Sequence, residues 1–114
     1  MRSYFIAGNW KMHKTVKESV ALAAELKAKL AGCKEKVMVA PAFTALAEVA
    51  KVLEGSNILV GAQNMGPEEQ GAHTGEVSVL MLKEGWDVTN LYTIVPLRPL
   101  GTKAQLSRVG RPPQ

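Results

Sequence analysis

The chain holds one cysteine, Cys33, in 114 residues. A lone thiol excludes an internal disulfide framework and a multi-cysteine metal site. Aromatic residues make up only 5% of the chain. No apolar run approaches the ~18 residues of a membrane span. The N-terminal run Tyr4–Gly8 is broken at once by Asn9, Trp10 and Lys11, too early for a signal peptide. The expectation is a soluble cytoplasmic protein with no membrane partner. The common phosphate-loop, dinucleotide, nucleophile-elbow, zinc-protease and CxxC motifs are also missing.

What remains is an ordinary globular balance, with 46% hydrophobic and 21% charged residues, which excludes a disordered or collagen-like chain. The net charge of +4 is unevenly placed. Residues 1–84 carry ten basic and nine acidic residues, a net of +1. Residues 85–114 carry Arg98, Lys103, Arg108 and Arg111 against Asp87 alone, a net of +3. A basic tail can bind nucleic acid. This one has no dense Lys/Arg run and little aromatic interleaving, so it reads as solvated, with no nucleic-acid partner.

Hydrophobic patterning alternates between two periods. Tyr4–Gly8 reads as a short buried strand. Thr15 with Glu18 three residues on is a capping-box signature, and an apolar-rich helical stretch runs from there to about Ala31, stopped by Gly32. Val37–Ala40 reads as a second strand, ended by Pro41. Thr44 is a candidate cap for a second helix, with Leu46, Val49, Ala50 and Leu53 on one face and Gly55 at its close. Ile58–Ala62 reads as a third strand. Strand, helix, strand, helix, strand with continuous apolar strands predicts a parallel α/β sheet with right-handed crossovers. Gln63–Glu76 is polar and, at fourteen residues, long for such a connection. Val77–Lys83 reads as the start of a third helix and Leu91–Val95 as a possible fourth strand. Pro96–Gln114, with four prolines, reads as mostly irregular.

Ligands bind at the carboxyl ends of the strands in parallel α/β folds. Asn9 and Lys11 follow the first strand, and strand alternation puts them on one face with Phe5 and Ala7, with Trp10 opposite. A lysine beside an amide suits an anionic substrate, although the two residues alone are better read as a solvated strand end. His13 and His73 are the only histidines, and both read as solvated, as do Glu68, Glu69 and Glu76. Trp10, Met12, Met65 and Met81 read as packing residues, and Cys33 as a small buried filler. No residue set reads as a metal site.

The combination says more than its parts. Ala7–Met12, Val39–Thr44, Val60–Met65, Glu69–Ser78 and Met81–Glu84 resemble, in order, successive motifs of the triosephosphate isomerase family. The resemblance covers residues 4–84. It implies an incomplete (β/α)8 barrel, since the complete fold takes about 250 residues: three βα units, a possible fourth strand and a non-matching tail over 85–114. It also implies interconversion of dihydroxyacetone phosphate and glyceraldehyde 3-phosphate, in glycolysis and gluconeogenesis, without a cofactor. Lys11 matches the family's catalytic lysine and Asn9 its substrate-contacting asparagine. The long loop matches the arm that enters a neighbouring subunit of a homodimer. Gln63, Asn64, Thr74 and Gly75 would lie at that interface, with Thr74 at its tip.

The family's next motif, Gly-His-Ser-Glu-Arg-Arg, should follow soon after Glu84 and does not. Its histidine and the later glutamate base have no counterpart here, so the chain alone is expected to be inactive. Codons possible for Tyr92–Pro99, read one base forward, permit Ile-Leu-Leu-Cys-His-Ser-Asp-Arg, which suggests a shifted reading frame. The alternative is a non-catalytic fragment that joins a full-length subunit or folds poorly.

Overall fold

The computed structural model describes residues 4–86 and 92–93. The expected strand over 91–95 is seen only at its centre, and the expected irregular stretch 96–114 lies outside the described residues. Seven elements follow in chain order: β1 (Phe5–Asn9), α1 (Val16–Lys29), β2 (Lys36–Ala40), α2 (Phe43–Val52), β3 (Ile58–Ala62), α3 (Val79–Trp86) and β4 (Tyr92–Thr93). The strands form one parallel sheet in the order β1-β2-β3-β4.

Each helix begins where local chemistry dictates. Thr15 and Glu18 form the expected reciprocal cap on α1. The Glu18 carboxylate accepts the Thr15 N–H at 2.9 Å and the Thr15 hydroxyl accepts the Glu18 N–H at 3.2 Å. The second helix corrects the sequence reading: its N-cap is Ala42, which makes no side-chain hydrogen bond, and Thr44 lies inside the first turn. Extended backbone at Ala42, directly after Pro41, sets that start two residues early. For the third helix, the Ser78 hydroxyl accepts the Met81 N–H at 3.1 Å. Helix ends are tied across the fold as well. Asn57 donates to the Leu30 carbonyl at 3.0 Å beyond the end of α1, and Lys27 donates to the Val52 carbonyl at 3.2 Å at the end of α2.

Period-two alternation sorts the strand residues between two faces. Val37, Val39, Ile58 and Val60 turn toward the helices and join Ala23, Ala45, Val49 and Leu53 in one core cluster. Ala62 meets Leu46, Met65 and Leu82 in a second. Burying a side chain such as Val49 or Leu53 stabilises the fold by about 1.5–3 kcal/mol. Met38 and Gly61 turn to the opposite, concave face. A Cβ on Gly61 would lie 2.6 Å from Met38 Sδ and 3.2 Å from Tyr92 Cβ, so a larger residue here would displace the Met38 thioether. The rings of Phe5 on β1 and Tyr92 on β4 have centroids 6.3 Å apart. Three strand spacings on a flat sheet would separate them by about 14 Å, so the sheet curves strongly toward that face. The architecture is an open (β/α) half-barrel with its helices outside.

Three packing expectations are corrected. Trp10 packs on the first cluster and Met65 is buried. Met12 and Met81, however, are 94% and 55% exposed, because a turn and an outer helix face carry them. Cys33 is half-exposed rather than buried, with its thiol donating to the Glu35 carboxylate at 3.4 Å.

Candidate active site

The site grows from the carboxyl ends of β1, β2 and β3. β1 stops at Asn9, whose side-chain oxygen accepts the Lys11 N–H at 2.9 Å. The Trp10 carbonyl accepts the His13 N–H at 3.1 Å and closes a turn. Lys11 therefore lies past the strand, at φ +53°, in the left-handed region that costs a non-glycine residue about 1–2 kcal/mol. This corrects the sequence reading in one respect. Asn9 and Lys11 do line the same groove, but through an asparagine-anchored turn and not through strand alternation.

Gln63, immediately after β3, holds the other side of that turn. Its amide nitrogen donates to the Lys11 carbonyl and to the Ala40 carbonyl, each at 2.9 Å. One side chain thus joins the ends of three strands. The Lys11 backbone is gripped at both polar groups, its N–H by Asn9 and its C=O by Gln63. The sequence reading assigned Gln63 only to an interface and missed this clamp. The groove beside it has a volume of about 470 Å³ and is lined by Asn9, Lys11, Met12, Ala42, Phe43, Gln63 and Asn64.

The electrostatics favour an anion. No carboxylate lines the groove, and Lys11 is exposed within it. Ala42 and Phe43 bring the start of α2 there as well, with no acidic residue in its first turn and no side-chain cap. The positive end of that helix adds to the lysine charge.

The long loop after β3 is closed at its base. The Gly66 N–H donates to the Val77 carbonyl at 2.7 Å, and Gly66 bridges Ser78. At its tip the Glu76 N–H donates to the His73 carbonyl at 3.1 Å, with Gly75 at φ +88°, as a type II turn requires at its third position. Thr74 and Gly75 are exposed there, away from the groove lining. His73 is also exposed, with Nε2 3.4 Å from the half-buried Glu68 carboxylate. His13 is exposed in the turn after Lys11. Neither imidazole lines the groove.

A parallel β/α sheet curved toward closure, with a polar, cationic groove at the carboxyl ends of its strands, defines part of a (β/α) barrel, a fold that binds ligands at that end. A sequence profile of the triosephosphate isomerase family matches residues 4–91. The chain belongs to that family. It is 64% identical over 84 residues to triosephosphate isomerase of Treponema pallidum (strain Nichols), covering 74% of this chain and 34% of that one. It is 61% identical over 82 residues to triosephosphate isomerase of Treponema denticola, covering 72% and 33%. The crystal structure of triosephosphate isomerase from Bartonella henselae superposes with a TM-score of 0.62 at 39% identity, covering 71% of this chain and 33% of that one. The chain thus spans about a third of the length of these relatives.

Proposed function

We propose that the groove is the triose-phosphate-binding part of a triosephosphate isomerase site, and that these 114 residues by themselves bind without turning substrate over. The observation that carries this reading is the Lys11 turn, clamped by Asn9 and Gln63 beside a groove free of carboxylates. The isomerisation moves a proton between two adjacent carbons, the carbonyl carbon and its hydroxyl-bearing neighbour, through an enediolate. It needs a base to take that proton, an electrophile to polarise the carbonyl and a cation to hold the enediolate and phosphate charge. The family is a standard case of such groups tuned by their surroundings. Lys11 and Asn9 supply the third function. The first two have no candidate among the residues lining the groove, because His13 and His73 lie elsewhere and the motif Gly-His-Ser-Glu-Arg-Arg is absent from the sequence. The family portion on this reading is residues 1–84, working in the cytoplasm without cofactor or metal.

The exposed tip at Thr74 and Gly75, on a loop closed at its base, favours a second role. The arm would dock on another subunit of the family, a second copy or a full-length one, with Asn64 and Gln63 near its root. An isomerase assay of the purified chain tests the first reading. No turnover above buffer is expected, and family-like turnover would contradict it. Size-exclusion of the chain mixed with a full-length family subunit tests the second, with co-elution expected and separate peaks contradicting it.

A further inference from the structure

The long loop after β3 encloses a titratable cluster of its own. Glu68, Glu69, His73 and Glu76 line one small cavity inside it, about 40 Å³ in volume, with Ser78 and Met81 closing the side where α3 begins. Residues 66–76 hold three carboxylates and no lysine or arginine, and α3 adds no charged group to the lining. His73 is therefore the one side chain facing this cavity that can become a cation.

Both side chains at the tip turn fold back onto glycines of the same loop. A Cβ on Gly71 would lie 3.0 Å from His73 Cδ2, and one on Gly66 would lie 3.2 Å from Glu76 Oε1. The imidazole thus lies across Gly71, with Nε2 3.4 Å from Glu68 Oε1. That carboxylate oxygen is shielded from solvent. The Glu76 N–H in turn binds the His73 carbonyl, so the tip turn and the imidazole contact share one residue. All of these contacts lie within residues 66–81.

We propose that the loop is a proton-operated latch: a proton taken up by His73 closes it against Glu68, and loss of that proton leaves three carboxylates around one cavity with no cation among them. Neutral imidazole can still donate a hydrogen bond, so what the proton changes is charge. The contact becomes an ion pair, and the net charge of residues 66–76 moves from −3 to −2. Imidazole makes this change between about pH 5 and 8, where carboxylates stay ionised. The sign follows from linkage: the arrangement that holds the proton against a carboxylate gains as pH falls through that window and loses as it rises. A half-exposed pair shifts the closing equilibrium modestly, about 2- to 5-fold. The latch sets the shape of the loop itself. On the reading that the loop docks on another subunit, a closed loop loses less freedom on docking, so docking tightens on the acid side of neutral.

Solvent-exchange NMR on the ¹⁵N-labelled full chain, dilute and with no partner added, tests this at about pH 5.5 and about pH 8. Each rate is expressed as protection over the intrinsic rate at that pH. The Glu76 amide, which closes the tip turn onto His73, should gain about 2- to 5-fold protection on the acid side. The Gly66 amide at the base should keep its protection. Glu68→Gln retains the shape of the side chain without its charge and should abolish the gain, as should His73→Gln. His13→Gln should keep it, because His13 lies outside this cavity. If a variant loses its helical circular dichroism, the wild-type pattern at Glu76 and Gly66 decides alone. Protection at Glu76 that does not change with pH, or a gain shared equally by Gly66, overturns the proposal. So does a gain that survives Glu68→Gln or His73→Gln, or one lost in His13→Gln. Docking is read by size exclusion and the latch by exchange, so either can fail while the other stands.

Discussion

Lys11 holds a left-handed backbone that its side chain disfavours, and two neighbours compensate. Asn9 occupies its N–H and Gln63 its C=O. Gln63→Ala leaves the Lys11 and Ala40 carbonyls without that donor, a loss of about 1–3 kcal/mol when such a group stays buried. The Ala40 side of the clamp, at a fully buried residue, should dominate. Urea unfolding is expected to show the midpoint moving down with an unchanged slope. An unchanged midpoint would mean the clamp is ornamental. The residue types Asn9 and Lys11 were legible from their place after an apolar strand. How they meet was not, because β1 ends at Asn9 and the turn beyond depends on a side-chain bond. Gln63 was less legible still. Its partners lie 52 and 23 residues away, and nothing local distinguishes it from a solvated glutamine.

At the scale of elements, local rules read well where a side chain does the capping. Thr15 and Glu18 gave the start of α1 from spacing alone, and the bonds are present. Thr15→Ala is expected to cost about 1 kcal/mol, read by thermal unfolding. The Thr15 N–H bound to the carboxylate, helped by the Thr15 hydroxyl and Lys14, holds the Glu18 pKa below its ordinary 4.5. A depressed carboxyl stabilises the fold above the unfolded value and loses that contribution as pH falls through the folded one. The stability difference between wild type and Glu18→Gln should therefore be present at neutral pH and shrink as pH drops below about 4.5. A constant difference across that window would contradict the cap's charge dependence. Legibility failed where backbone did the work. α2 starts at Phe43 after an alanine that caps nothing, and Thr44, the better capping residue by type, lies inside the turn. Ser78 caps α3 with its side chain but stands inside the apolar run that starts at Val77, which hides it as a boundary.

The described residues form a four-stranded parallel half-barrel. The order of strands and helices was readable because buried parallel strands and amphipathic helices carry different periods. Curvature was not, since it shows only in contacts between residues far apart in sequence, Met38 over Gly61 and Phe5 near Tyr92 across the concave face. Three strand ends are held together because Gln63 ties them. The groove should accordingly persist without the rest of a barrel. The direct measurement is a titration of the ¹⁵N-labelled chain with dihydroxyacetone phosphate, following backbone amide shifts. Saturable shifts are expected at Lys11 and around Asn9, Phe43 and Asn64, with Lys11→Ala weakening binding about 10- to 100-fold. Shifts absent from these residues, or unchanged affinity in Lys11→Ala, would contradict a triose-phosphate-binding groove on this chain.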